Sequence, residues 1–305
     1  MDGQELNVVT GGFSYTGKYI AGRLLSTEKR VRTLTGHPHR PNPFGDRVSV
    51  ALLDFEDRSE LRKSLGGATT LYNTYWIRFP YGPVTFESAV ENTKALIRAA
   101  EEAGVRRIVH VSITNASAES RLPYFRGKGL VEEAVVRSRL SHAILRPTVI
   151  FGPEDILINN IAWLLRRFPV FAIPGSGAYR LQPVFVEDVA EIAVRAGREE
   201  GNIILDAVGP EAYTFHELVR LIAETVRSPA RIVRVNPGLA LLLSRLMGYT
   251  VRDVVLTRDE IEGLMASLLV SDLPPIGHTS LRRWLAGNAG RVGTRYASEL
   301  DRHYR

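Results

Sequence analysis

The chain has 305 residues, 45% of them hydrophobic and 24% charged, the balance of an ordinary folded protein rather than of a disordered or fibrous one. Its 39 Lys and Arg against 33 Asp and Glu leave a net charge of +6, spread in pieces such as Arg30-Val31-Arg32, Arg166-Arg167 and Arg282-Arg283, with no basic tract interleaved with aromatics to suggest nucleic acid. Cysteine is absent, which removes disulfides, thiolate metal sites and a cysteine nucleophile.

The polar start Met1-Asp2-Gly3-Gln4-Glu5 runs straight into a strand-like segment, so no signal peptide is expected and the cytoplasm is the expected location. Leu6-Asn7-Val8-Val9 reads as the first strand, followed by a glycine turn and an amphipathic helix near Lys18 to Ser26. Val31–Leu34 and Val48–Leu52 read as the second and third strands, Leu61–Leu65 as a short helix and Thr70–Asn73 as the fourth strand. A long helix from about Val84 to Ala103 meets Gly104, a suitable C-terminal cap. Arg107–Val111 and Ser141–Leu145 are the fifth and sixth strands, with a helix starting near Tyr124 between them. Strands alternating with helices in this way predict an α/β chain, a parallel doubly wound sheet with helices on both faces.

After Pro147 the pattern loosens. Val184-Phe185-Val186 followed by Glu187-Asp188 reads as a strand entering a helix, and Thr214 with Glu217 as a capping box before the helix Leu218–Val226. The expected division is a dinucleotide-binding region over 1–150 and a mixed, mostly helical substrate region over 151–305, with segments near 180–210 returning to the first. The apolar run Leu239–Met247 is far below the roughly 20 residues that span a bilayer. Its leucines are expected to pack in a core, the alternative being the lining of a lipophilic pocket. His216, His278 and His303 are scattered, and no metal site is expected.

Two motifs carry chemistry. Thr10-Gly11-Gly12-Phe13-Ser14-Tyr15-Thr16-Gly17 lies between a predicted strand and a predicted helix, the context that separates a dinucleotide turn from a chance glycine cluster. Gly11 permits the tight turn, Gly17 permits close packing of helix on strand, and the exposed amides with the positive helix end attract a pyrophosphate. Tyr124-Phe125-Arg126-Gly127-Lys128 places a phenol and an ammonium four residues apart on one helix face. An ammonium beside a phenol favours the phenolate and brings its ionisation towards working pH.

These residues resemble the extended or atypical short-chain dehydrogenases/reductases, whose turn reads Thr-Gly-x-x-Gly-x-x-Gly; here Ser14 replaces the middle glycine. The resemblance implies an NAD(P)-binding Rossmann fold with Tyr124 and Lys128 as the catalytic pair. A hydroxyl just beyond the fifth strand, Ser112 or Thr114, would be the third partner, and Asn92 on the long helix would complete a tetrad. It further implies that Asp54-Phe55 meets the adenine, that Asn73-Thr74-Tyr75 passes the coenzyme, and that Pro147 and Val149 border the nicotinamide. The second strand ends without an acid that would hold the ribose of NAD, while His37 and Arg40, with His39, Arg32 or Lys18 in support, suit a 2′-phosphate. The lean is therefore to NADP over NAD. The subgroup indicated contains the 39-kDa accessory subunit of respiratory complex I and free-standing bacterial relatives.

One departure bears on substrate. Sugar-nucleotide epimerases and dehydratases place an arginine before the return strand, where this chain has Leu181, flanked by Arg180 and Gln182-Pro183. The expected function is an oxidoreductase acting on a carbonyl or hydroxyl of a small molecule. The alternatives are a non-catalytic coenzyme sensor or accessory protein, and a sugar-nucleotide epimerase or dehydratase.

Overall fold

The computed structural model describes residues 5–304, so that four of the five residues of the polar start, Met1–Gln4, lie outside the described residues. In chain order the first elements are β1 (Leu6–Thr10), α1 (Tyr15–Ser26), β2 (Arg30–Thr35), β3 (Val48–Leu52), α2 (Arg58–Ser64), β4 (Ala68–Asn73), α3 (Phe86–Glu102), β5 (Arg107–Val111), α4 (Pro123–Arg137) and β6 (Ser141–Leu145). There follow β7 (Ile150–Phe151), α5 (Leu157–Arg167), β8 (Val170–Pro174), β9 (Arg180–Leu181), β10 (Val184–Phe185), α6 (Val186–Ala196), β11 (Ile203–Leu205), β12 (Tyr213–Thr214), α7 (Phe215–Thr225) and β13 (Arg231–Val235). The chain ends in α8 (Pro237–Val251), α9 (Arg258–Met265), α10 (Leu281–Asn288) and α11 (Glu299–His303).

The chain divides into two compact units, one running to Pro147 and including Val186–Ala207, the other Thr148–Phe185 with Val208–Arg305. The first unit holds a seven-stranded sheet in the order β11-β6-β5-β4-β1-β2-β3, every neighbouring pair parallel. The chain leaves β1 in one direction through β2 and β3, then crosses back to place β4 on the other side of β1. This reversal between β1 and β4 opens a crevice at the carboxyl ends of the strands, where open α/β sheets bind their ligands.

The central strands β1 and β5 are buried along their whole length, as expected of a parallel sheet covered by helices on both faces. On one face Val8, Leu34, Leu71, Ile108 and Ile144 pack with Leu61, Leu96, Val131 and Val135 of the surrounding helices. Towards the carboxyl ends this face turns polar: Thr10, Asn73 and His110 occupy it in place of apolar side chains. α3 starts on a capping box of Thr85 with Ser88 and stops where Gly104 takes a φ of 77°, a left-handed turn that favours glycine.

In the second unit three two-stranded pairings, β10 with β7, β12 with β9 and β13 with β8, share one apolar core with α5 and α7. The capping box read from Thr214 and Glu217 is formed at the start of α7. The leucines of α8 correct an expectation. Leu239, Leu242 and Leu243 are exposed, and within this helix only Ala240 is buried. A run of leucines satisfies any apolar periodicity, so its hydropathy did not say which side faced inward.

Candidate functional site at the strand ends

The glycine turn is held from below. The Gly11 N–H donates to the Leu34 carbonyl and the Gly12 N–H to Thr33 Oγ1 at 2.8 Å, which ties the turn to β2. Gly11 has a φ of 60°, and a Cβ on Gly17 would stand 2.2 Å from the Gly11 carbonyl oxygen, so both positions demand glycine. Ser14 is the N-cap of α1, yet its hydroxyl caps no amide of the first turn; it packs over Gly11, 3.1 Å from where a Cβ would stand. Ser14 thus leaves the start of α1 without an N-cap hydrogen bond, and a diphosphate suits the positive end of that helix.

Thr10 joins this turn to the segment after β4. Its Oγ1 accepts from the backbone N–H groups of Thr74 at 2.7 Å and Tyr75 at 3.1 Å, while Thr74 Oγ1 donates to the Thr10 carbonyl at 2.6 Å. The same Thr10 hydroxyl donates to Asn73 Oδ1 at 3.1 Å. Asn73 Oδ1 also accepts from the Tyr75 N–H, which leaves the Asn73 amide nitrogen facing His110 Nδ1 at 3.1 Å. An amide nitrogen can only donate there, so Nδ1 is an unprotonated acceptor and the proton of the neutral imidazole sits on Nε2. Burial, with the Lys128 charge second, holds His110 well below the usual imidazole range.

Lys128 is fully buried. Its Nζ donates to the Val111 carbonyl at 2.8 Å and lies 4.7 Å from the centre of the Trp76 ring. Burial pushes the ammonium down to about 7, against the pull of Glu132 one turn further along α4, which is itself clamped by Arg146. The Tyr124 ring meets the same indole edge-on at 6.0 Å and packs on Phe86 at 5.9 Å. Trp76 therefore lies against both members of the Tyr-x-x-x-Lys pair. Gly127 makes room for it, because a Cβ there would stand 2.8 Å from the indole.

The two hydroxyl candidates differ. Ser112 Oγ is buried with no hydrogen-bond partner, as are His110 Nε2 and Trp76 Nε1. Thr114, also buried, has its N–H on the Pro147 carbonyl. Asn92 Nδ2 donates to the Tyr75 hydroxyl at 3.0 Å, so it braces the loop after β4. Phe55 packs on the Tyr75 ring at 4.8 Å, and Asp54 Oδ1 accepts from the Glu56 N–H in a local turn. His37, His39 and the half-buried Arg40 sit on the loop after β2. Lys18 Nζ lies 5.1 Å from the Tyr19 ring centre, and Phe13, Tyr15 and Thr16 are half-buried in or beside the turn. Arg32 is used elsewhere, its guanidinium donating to the carbonyls of Ser64 and Gly66. Val149 belongs to the second unit, where its carbonyl accepts from the Val184 N–H.

Sequence reasoning missed Trp76 and His110. The signal was present for the first: Gly127 and Gly129 flank Lys128 inside a helix, where glycine costs about 1 kcal/mol relative to alanine and so asks for a close neighbour. For His110 only its place near the carboxyl end of a central strand offered a hint. In the second unit Leu181 is buried in the core and Gln182 bridges the Gly209 carbonyl and the Ser271 N–H, so this segment braces the fold. Among the described residues no group of His, Asp and Glu could hold a metal ion, and no helix is long and apolar enough to cross a membrane.

The sheet order, the glycine turn and the polar strand ends define a dinucleotide-binding Rossmann protein. A family model described as NAD(P)H-binding matches residues 11–155. A protein of Caulobacter vibrioides named ceramide reductase is 32% identical over 243 residues, 78% of this chain and 76% of that protein. The mitochondrial NADH dehydrogenase [ubiquinone] 1 alpha subcomplex subunit 9 of Arabidopsis thaliana is 26% identical over 283 residues, 87% of this chain and 70% of that protein. Among solved structures, an NADPH-dependent quinone oxidoreductase of Escherichia coli in complex with NADPH superposes with a TM-score of 0.73 at 20% identity, covering 93% of this chain and 98% of the other. The chain belongs to the extended short-chain dehydrogenase/reductase superfamily of NAD(P)-binding proteins.

Proposed function

We propose that the protein is an NAD(P)(H)-dependent oxidoreductase that reduces a carbonyl of a small molecule, or oxidises the corresponding alcohol. The observation that carries this reading is the shared packing of Tyr124 and Lys128 on the Trp76 indole, with the Lys128 ammonium buried and shifted to about 7. A lysine poised near neutrality beside a tyrosine suits proton exchange rather than simple anchoring. The coenzyme, when bound, supplies or takes up hydride at the nicotinamide. Tyr124 donates the proton to the substrate oxygen, Lys128 restores it, and Ser112, whose buried hydroxyl has no partner, polarises the carbonyl. Thr114 is the alternative hydroxyl.

The turn residues Thr10, Gly11, Phe13 to Gly17, with Asp54, Phe55 and Asn73 to Tyr75, hold the coenzyme; Pro147 and Val149 border its nicotinamide end. The absence of a carboxylate at the end of β2, with His37, His39 and Arg40 close behind it, favours NADPH. In this reading residues 1–150 serve the coenzyme and 151–305 the substrate, with 180–210 returning to the first. A carbonyl on a lipophilic molecule is the favoured substrate class, supported by the relative named ceramide reductase.

The second reading, an accessory protein without turnover, draws on the relatives named as complex I subunits. Fluorescence titration of NADPH and NADH tests the coenzyme, and loss of NADPH absorbance with a panel of aldehydes, ketones and quinones tests the reaction. Tyr124→Phe is expected to cut turnover by about 10²–10⁴-fold with coenzyme affinity nearly unchanged. Binding of neither coenzyme at millimolar concentration would overturn the proposal. Tight binding with no turnover on any carbonyl would favour the accessory reading.

A further inference from the structure

α8 is amphipathic in the wrong sense for a helix that covers a core. The residues it turns inward are small: Ala240 is buried, Ser244 is half-buried with its hydroxyl on the Leu241 and Leu256 carbonyls, and a Cβ on Gly248 would stand 2.6 Å from the Asp253 carbonyl oxygen. These three lie four residues apart, on one face. The opposite face carries Leu239, Leu242, Leu243, Leu246 and Tyr249, all exposed, Leu246 by 57% and Tyr249 by 84%. Five large apolar side chains at helical spacing make a continuous stripe, unlike the scattered single hydrophobics of an ordinary surface. Arg245 is the only charged residue in the fifteen of α8, and it stands exposed on the edge of the stripe; Arg252, also exposed, follows one residue beyond the helix.

We propose that this stripe is a docking surface for a lipid bilayer with anionic headgroups, on which α8 lies parallel to the membrane plane. Two arguments select the bilayer over a second copy of the chain. A helix of this length is about 22 Å long, and its five exposed side chains offer on the order of 500–600 Å², below the roughly 800 Å² per partner of a stable protein interface. A bilayer needs no matching surface and takes a leucine face at the boundary of headgroups and acyl chains. The charges at the stripe are also of one sign: arginines reach anionic headgroups while their stems stay on apolar surface, and a tyrosine at one end suits the wet, half-apolar headgroup level. The inference stands on α8 alone and does not depend on the coenzyme or on turnover.

The test is co-sedimentation of the full chain with phosphatidylcholine vesicles and with vesicles of seven parts phosphatidylcholine to three of phosphatidylglycerol. Binding is expected chiefly to the anionic vesicles and should weaken as salt is raised. The double variant Leu242→Gln, Leu246→Gln should lose at least about tenfold in partitioning, and Arg245→Gln several-fold on the anionic vesicles only. Thermal unfolding and coenzyme titration of each variant confirm an intact fold, as is expected of exposed positions. Three results would overturn the proposal: no binding to either vesicle, binding that survives the leucine changes, or a dimer in sedimentation equilibrium that the leucine changes abolish while vesicles are ignored.

Discussion

Two regions each bury an ionisable side chain completely and hold it near neutrality, and they do so for different ends. In the first unit, Lys128 has one hydrogen bond, to the Val111 carbonyl, and an aromatic face beneath its charge. In the second, Asp155 accepts from the Ile158 N–H at 2.7 Å, from Asn159 Nδ2 at 3.0 Å and from the Gly152 N–H at 3.3 Å at the entry to α5. Burial pushes Asp155 up to about 7 despite those donors, much as it pushes Lys128 down to the same range. A displaced ionisation by itself therefore marks burial, not chemistry. The difference lies in the neighbours: Asp155 is a structural brace surrounded by donors, whereas Lys128 is underprovided and has other underprovided polar atoms, Trp76 Nε1 and His110 Nε2, in its neighbourhood.

Lys128→Met should break the comparison most strongly. It keeps the buried volume and removes the charge, and turnover is expected to fall about 10²–10⁴-fold in steady-state assays. In the parent protein kcat/KM for the coenzyme in the reductive direction should decline as pH rises through about 7, where Lys128 loses its proton, and that ionisation should vanish from the variant's profile.

Asp155→Asn is expected to act on the other axis. The amide nitrogen cannot accept from Gly152 or Asn159, so urea unfolding should show a loss of about 1–3 kcal/mol while turnover per folded molecule stays within about twofold. Loss of turnover without loss of stability would mean that the brace is part of the chemistry.

The two groups also shape stability against pH, in opposite limbs. A carboxyl raised to about 7 contributes stability that is complete below its ordinary value near 4 and is lost as pH rises through 7. An ammonium lowered to about 7 contributes stability that is complete above its ordinary value of 10.5 and is lost as pH falls through 7. Together they place a shallow minimum near neutrality. Urea midpoints at pH 5, 7 and 9 should show it; Asp155→Asn should flatten the acid limb and Lys128→Met the alkaline one.

The smallest effect is expected at Gly127. Alanine gains about 1 kcal/mol of helix propensity but puts its Cβ against the Trp76 ring, so global stability should barely move. The indole should shift, read as a change in tryptophan emission, with turnover down by about tenfold if the ring sets the distance between Tyr124 and Lys128.

Much of the first unit was legible because local and tertiary signals agree there. β3, β5 and β6 begin and end at the residues expected from the sequence, and Gly104 stops α3 as its missing side chain allows. The glycine turn was legible from its place between strand and helix. The second unit was harder to read, because its strands are short and pair across long separations: β8 finds β13, some sixty residues later, and no periodicity announces such a partner. At the site, spacing identified Tyr124 and Lys128, but the indole they share comes from a loop whose path depends on β4. The polar row of Thr10, Asn73 and His110 reads in sequence as strand residues like any others; only register shows them side by side.

Thr10 is a small side chain with an outsized mechanical consequence. By gripping the amides of Thr74 and Tyr75 it welds two loops that leave different strands, so a push on either one is delivered to the other. Exchange of its hydroxyl for a methyl, Thr10→Val, keeps the shape of the strand and leaves only the Thr74 hydroxyl on the residue 10 carbonyl to join the two segments. Hydrogen exchange should then show the tryptophan-bearing loop loosening on its own, with the turn ahead of α1 undisturbed.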